Sequence, residues 1–425
     1  MKSSIVKKEL SNAGWMIGAR IIQMMFSFFI SILTARYLGP DNYGLVNYGM
    51  AYVGFFTALC TLGINSIIVK ELVSKPKEEG TIMGTTMFLR IFSSVLSVVL
   101  ICVVVFFVDY GEQLTQKVVF LCSLSLIFQV FDTINYWFQS RYMAKVTSLS
   151  TLGAYVIVSI YKMYLLMTGK GVVWFAISTS IDYVCVAVLQ ILAYKKYNGA
   201  KMAFSCTMAK NLLGKSYHFI LSGLMVAIYG YTDKFMLKQM LNETVVGYYS
   251  IATTISTMWV FILAAVIDSV YPTIMKLYET DYDGYKKKNK QLYAIVFYMS
   301  MFVSVLFMIF GKLIIDILYG DKYALAVTPL KIVTWYTAFS YLGVARNAWI
   351  VCENEQKYLK YMYFGAAIIN IILNLLLIPQ FGAAGAAFAS LITQIFTSLI
   401  LPALFKGMRP NTMLMLEAIF LRGVF

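Results

Sequence analysis

Apolar residues recur along this chain in runs of about twenty, the length an α-helix needs to cross the hydrocarbon core of a bilayer. They lie near 13–35, 43–65, 81–108, 116–138, 148–168, 171–193, 216–237, 245–267, 291–317, 326–349, 359–378 and 383–403, and predict twelve spans joined by short polar turns. Several runs carry polar residues at three- and four-residue spacing, which places them on one helix face. The first has Arg20, Gln23, Ser27, Ser31 and Thr34; the third has Thr86, Arg90, Ser93 and Ser97. The fourth repeats the pattern with Ser125, Gln129, Asp132, Tyr136 and Gln139, the fifth with Thr151, Tyr155, Ser159 and Lys162, and Asp182 lies midway along the sixth. Lipid cannot solvate such stripes, so the faces are expected to converge on a polar, partly charged cavity in the N-terminal half. Static pairing of Arg90 with Asp132 and of Lys162 with Asp182 is the alternative, in which the charges only hold the bundle together.

Composition supports the membrane reading. Of 425 residues 60% are apolar and 13% charged, about half the charge of an ordinary soluble domain. With a mean hydropathy of +0.74 this excludes soluble enzyme domains, coiled coils and disordered chains. The net charge of +15 would suggest nucleic acid in a soluble protein. Here the excess is local. With the N-terminus in the cytoplasm, 23 Lys and Arg fall on the cytoplasmic side and five, Arg36, Lys117, Lys170, Lys238 and Lys322, on the other. That imbalance fixes the orientation and removes the case for a nucleic-acid partner. The basic start followed by an uncleaved apolar run reads as a retained first span.

Catalytic and metal chemistry find no support. The six cysteines are scattered without metal or disulfide spacing, and His218 is the single histidine. No G-x-S-x-G, H-E-x-x-H or Walker motif occurs, so neither a catalytic residue, a resident cofactor nor a built-in ATPase is expected.

The polar stretch 194–215 divides the chain into a six-helix lobe at 1–193 and a second at 216–403, with a cytoplasmic interfacial tail at 404–425. Internal similarity supports the cut. The segment from Tyr37, YLGPDNYGLVNYG, resembles that from Met240, MLNETVVGYYSIA, with Gly44 matching Gly247. The turn from Leu165 likewise resembles that from Leu376, with Gly171 matching Gly382. Both matches relate span n to span n+6, which makes the halves parallel repeats. The C-terminal half is less charged at mid-depth. Tyr229 and Asp233 share a face at i,i+4 beside Lys234, a candidate gate or an interfacial anchor. Asn370 and Asn374 read as interhelical glue, and Pro272, after Asp268, as a helix stop.

The chain from about Lys7 to Phe405 resembles the polysaccharide or O-antigen repeat-unit exporters, the lipid-linked oligosaccharide flippases of the multidrug/oligosaccharidyl-lipid/polysaccharide exporter superfamily. The resemblance rests on LTARYLGPDNYGLVNYGMAYVGFFTALCTLGINSIIVKE (33–71), GYTDKFMLKQMLNETVVGYYSIA (230–252), IDILYGDKYALAVTPLKI (315–332) and LNLLLIPQFGAAGAAFAS (373–390). It implies an all-α polytopic protein of the bacterial cytoplasmic membrane, with both termini cytoplasmic and twelve helices in two lobes arranged as a V. It implies an undecaprenyl-diphosphate-linked oligosaccharide as cargo, flipped by alternating access for surface polysaccharide biosynthesis, with membrane lipids and a polysaccharide polymerase complex as partners. On that reading Arg20, Arg90 and Lys162 offer counter-charge to the diphosphate, because Arg can fork two phosphate oxygens and Lys adds a point charge. Gln23, Ser27 and Gln129 offer hydrogen bonds to sugars. Asp132 and Asp182 are candidates for H+ or Na+ coupling. A cation-coupled multidrug exporter of the same fold, or a non-transporting membrane scaffold, are the competing functions.

Overall fold

The computed structural model describes residues 2–424 and their side chains, apart from those of 2–14, 16, 17 and 66. Every regular element is helical. In order these are α1 (Lys2–Cys60), α2 (Asn65–Ser74), α3 (Glu79–Val108), α4 (Gln113–Ser123), α5 (Ser125–Phe128), α6 (Thr133–Ser140), α7 (Ala144–Met167) and α8 (Val172–Lys196). They continue as α9 (Cys206–Met240), α10 (Glu243–Thr257), α11 (Phe261–Thr280), α12 (Tyr282–Leu318), α13 (Val327–Ala345) and α14 (Asn347–Cys352). Helices α15 (Leu359–Phe381), α16 (Ala383–Ile395), α17 (Leu401–Leu404) and α18 (Arg409–Ile419) complete the chain.

Among the described residues ten helical stretches are long and apolar enough to cross a membrane. Two features separate that count from the expected twelve. The first two apolar runs share α1, which breaks only at Gly39, where φ is +72° and Pro40 restarts the helix. Glycine tolerates that left-handed conformation, and proline suits a first helical turn. Helix α13, with Thr328, Lys331, Thr334, Thr337 and Ser340, is not among the ten.

Helix α3 shows how the solvent inverts the usual pattern. Thr86, Arg90, Ser94 and Ser97 are buried, while Phe88, Phe92, Val95, Val99, Val103 and Phe106 are exposed. The polar stripe faces protein and the apolar face is left for lipid.

The chain divides into two compact units. The first holds residues 1–38 and 45–227, the second 39–44 and 228–425. The division along α9 falls after Ala227, so the stretch 194–215 packs wholly in the first unit. Ala203 N–H donates to the Gly80 carbonyl at 3.1 Å and Ser205 N–H to Thr85 Oγ1 at 3.0 Å. This close approach needs Gly80 and Gly84, where a Cβ would fall 2.2 Å from Lys201 O and 2.5 Å from Ala203 N. Lys215 donates to Glu71 at 2.6 Å and holds that carboxyl below its ordinary range.

A core around Trp137, Phe138, Ile64, Ile68, Ile82 and Tyr194 closes one end of the first unit. In the second unit Tyr285, Tyr293, Trp349 and Met415 belong to another core. The tail helix α18 packs there rather than lying free: Asn411 donates to the Tyr293 hydroxyl at 2.6 Å, and Lys290 pairs with Glu417 at 3.0 Å. Pro272 does not stop its helix but lies inside α11, which runs on to Thr280. A proline removes one hydrogen bond, a loss that neighbouring groups can offset within a bundle.

Candidate functional site

The polar stripes of the first, fourth, fifth and sixth runs converge, and that of the third does not join them. A cavity of about 610 Å³ is lined by Ala19, Arg20 and Gln23 of α1, by Asp132, Asn135, Tyr136 and Gln139, by Ala144, Thr147, Ser148 and Thr151 of α7, and by Asp182, Tyr183 and Val186 of α8. That volume lies within the usual range for small-molecule sites, about 300–1,000 Å³. Of the eight residues expected to bind or couple in the N-terminal half, four line it: Arg20, Gln23, Asp132 and Asp182.

The other four do not line it. Ser27 is exposed one turn beyond Gln23, and Lys162 is half-buried on α7. Arg90 is only 2% exposed and binds a neighbouring turn instead. It donates to Thr133 Oγ1 at 2.8 Å and to the Gln129 carbonyl at 3.3 Å. Gln129 Oε1 in turn accepts from Thr57 at 3.3 Å.

For Gln129 the reason is a break in the fourth run that periodicity did not reveal. Residues Gln129–Asp132 form a 3₁₀ turn between α5 and α6. A 3₁₀ turn advances about 120° per residue against about 100° for an α-helix, so four residues rotate the following side chains by about 80°. Asp132, Tyr136 and Gln139 therefore meet the cavity while Ser125 is buried and Gln129 turns away. Arg90 holds this turn at both ends, through Gln129 O and Thr133 Oγ1.

Neither expected static pair forms an ion pair within 4 Å among the described residues. Arg90 and Asp132 interact as charges across a longer distance, as do Lys162 and Asp182. The cavity wall itself carries one arginine and two carboxylates, with neutral polar side chains between them.

The second unit contains a site that the sequence only hinted at. Asp233, 6% exposed, is buried rather than anchored at the surface. Its Oδ2 accepts from the Tyr249 and Ser390 hydroxyls, each at 2.5 Å. Its Oδ1 accepts from Asn370 Nδ2 at 3.1 Å and Asn374 Nδ2 at 2.7 Å. Helices α9, α10, α15 and α16 thus each supply part of one buried network. Asn374 Nδ2 also donates to Asn370 Oδ1, while Asn374 Oδ1 has no partner. Four donors around one carboxylate use it as an acceptor only. Tyr229, one turn earlier on α9, donates to the Tyr336 hydroxyl at 3.2 Å and does not join the cluster. Lys234 is half-buried and has contacts of its own. The Asn370/Asn374 spacing was visible in the sequence; Tyr249 and Ser390 carried no signal that separates them from any other tyrosine or serine in a span. No group of three His, Cys, Asp or Glu side chains that could hold a metal occurs among the described residues.

Comparison with known proteins bears on what these sites serve. A sequence profile described as polysaccharide biosynthesis protein matches residues 10–278. A putative O-antigen transporter of Shigella flexneri is 20% identical, over 94% of this chain and 98% of its own. Among solved structures, one described as the lipid II flippase MurJ in an inward closed conformation superposes with a TM-score of 0.71 at 14% identity, covering 96% of this chain and 91% of the other. Another, an inward-facing multidrug resistance transporter of the MATE family, gives 0.70 at 14% identity, covering 94% and 96%. The chain therefore shares the all-α polytopic fold of these two structures.

Proposed function

Because the chain belongs to the polysaccharide biosynthesis protein family, as a multi-pass membrane transporter and not an enzyme, we propose that it flips an undecaprenyl-diphosphate-linked oligosaccharide repeat unit to the outer leaflet by alternating access. The observation that carries this reading is the polar cavity of the first unit, where Arg20 stands among amide, hydroxyl and phenol side chains. A diphosphate requires counter-charge and a sugar requires neutral donors and acceptors; the wall offers both. Arg90 and Lys162 lie off the cavity wall, which leaves Arg20 as the cation facing the cargo. The lipid tail stays in the bilayer, and a polysaccharide polymerase is the consumer expected downstream.

Twelve crossings belong to the same proposal. The stretch Gly18–Cys60 is 43 residues, about 65 Å at 1.5 Å per residue, enough for two passages of a core about 30 Å thick. Helix α13 with α14 supplies the twelfth. Single cysteines near Asn42, Lys170 and Lys322 are expected to react with an impermeant thiol reagent added outside intact cells, and those near Asn198 and Lys287 to stay unlabelled. Labelling of the 194–215 stretch from outside overturns the orientation, with cytoplasmic termini, and the two-lobe scheme built on it.

Two carboxylates on the wall favour a second reading, a cation-coupled exporter of amphipathic cations. In the flippase reading Asp132 and Asp182 bind the driving H+ or Na+. Their Asn variants then lose the response of transport to an imposed gradient while cargo affinity holds. An unchanged gradient response in both assigns coupling elsewhere. Asp233 is the next candidate, since Asn374 Oδ1 beside it is a buried oxygen lacking a donor, the kind of atom a small cation accepts.

A further inference from the structure

The connection between α8 and α9 carries two large apolar side chains that the fold leaves uncovered. Met202 is 42% exposed and Phe204 52%, in a stretch that the sequence reads as a polar cytoplasmic linker. The stretch is nevertheless fixed. The Tyr194 hydroxyl donates to the Ala200 carbonyl at 2.8 Å at its start, and the Ser205 carbonyl accepts from Ala209 N–H at 2.9 Å where α9 begins. Between these points Ala203 and Ser205 give their N–H groups to Gly80 and Thr85 of α3. They alternate with Met202 and Phe204, whose own N–H groups find no protein acceptor among the described residues.

Position along α3 sets the depth. The exposed apolar side chains of that helix run from Phe88 to Phe107, about 28 Å at 1.5 Å per residue, which matches a hydrocarbon core about 30 Å thick. Phe88 therefore marks one edge of the core. The 199–205 segment covers the turns before it, those of Gly80 and Gly84, and Phe204 reaches back to that edge. Its ring lies 4.6 Å from the Phe88 ring, and both side chains remain more than half exposed. An apolar surface continuous with the lipid-facing side of a helix has lipid as its neighbour. The two free backbone N–H groups set the opposite limit, because hydrocarbon offers them no acceptor. The headgroup layer meets both demands. Charge agrees with it: Lys195, Lys196, Lys201 and Lys210 flank the two apolar residues and are all exposed, as suits anionic lipid phosphates.

We propose that residues 199–205 are a membrane-surface anchor. The segment lies in the headgroup layer at the N-terminal end of α3, the cytoplasmic leaflet in the proposed orientation, with Met202 and Phe204 at the acyl edge and the flanking lysines on lipid phosphates. Its partner is the bilayer, so the anchor stands whatever cargo the protein carries. Docking on α3 holds it at that depth, and Gly80 and Gly84 are what allow the approach.

The test places a nitroxide on single cysteines, Met202→Cys and Phe204→Cys, in full-length Cys206→Ser protein in vesicles of phosphatidylethanolamine and phosphatidylglycerol. Phe92→Cys serves as the lipid control, Lys77→Cys and Lys287→Cys as the water controls, and the signal of labelled Cys206→Ser protein is subtracted. Relaxation by oxygen, which concentrates among acyl chains, is compared with relaxation by a water-soluble nickel chelate. Labels at 202 and 204 are expected to follow the lipid control, with nickel access several-fold below that at 77 and 287. Nickel access equal to the water controls puts the segment in solvent and overturns the anchor. Protection from both reagents covers it with protein and overturns it as well. Gly84→Ala sets a Cβ 2.5 Å from Ala203 N and is expected to raise nickel access at 204; an unchanged profile there overturns the role of α3 in holding the depth. If that variant fails to fold, the labelled positions decide alone.

Discussion

Asp233→Ala is expected to destabilise the purified protein by roughly 3–5 kcal/mol, the cost of breaking a buried polar network by removing its central charge. The variant removes the acceptor that the Tyr249 and Ser390 hydroxyls and two asparagine amides now share, leaving the two hydroxyls, 3.3 Å apart, and the asparagine pair to bond each other only in part. Each buried group left without a partner costs about 1–3 kcal/mol, and relaxation recovers part of the sum. At about 2–4 °C per kcal/mol for a unit of this size, the unfolding midpoint falls by roughly 6–20 °C. Asp233→Asn keeps the volume but turns an amide donor toward other donors, so it falls between wild type and alanine. Asn370→Ala and Asn374→Ala each remove one arm and cost less than the loss of the hub. Thermal unfolding in one detergent at fixed pH measures all four. An alanine variant that melts within a degree or two of wild type contradicts the network as a structural hub.

The reach of sequence reasoning differs between the two units for a physical reason. In the first unit Arg20, Gln23, Asp132 and Asp182 were legible because a membrane leaves a charged side chain few places to go, and helical spacing named the face. Arg90 was read from the same spacing as a cavity residue, and it is not one. Periodicity assumes an unbroken helix, and the 3₁₀ turn at Gln129–Asp132 rotates the second half of its partner helix. The turn carries no proline or glycine to announce it. In the second unit Asp233 was legible as an unusual residue, but its partners lie 16 to 157 positions away and are individually ordinary. Such convergence is a property of packing.

Arg20→Gln is expected to leave a folded protein that has lost most of its affinity for a diphosphate lipid. Arg20 is the cation on the cavity wall, and it has no ion-pair partner within 4 Å among the described residues, so a neutral amide cannot replace its charge. Losing one charge-assisted hydrogen bond costs roughly 1.5–3 kcal/mol, which weakens binding by more than tenfold. Arg20→Lys restores the charge without the planar fork and recovers part of the loss. Because the side chain is exposed within the cavity and absent from the buried cores, the melting temperature should barely move. That separates this variant from Asp233→Ala, where stability changes first.

The decisive measurement compares two lipids carrying the same sugar, one on a diphosphate and one on a neutral linker, binding to wild-type protein and Arg20→Gln in vesicles of fixed lipid charge. The account predicts that wild type prefers the diphosphate lipid by more than tenfold, and that Arg20→Gln loses this preference while its affinity for the neutral lipid stays the same. Wild-type protein that binds both lipids equally contradicts the diphosphate site, and with it the proposed cargo.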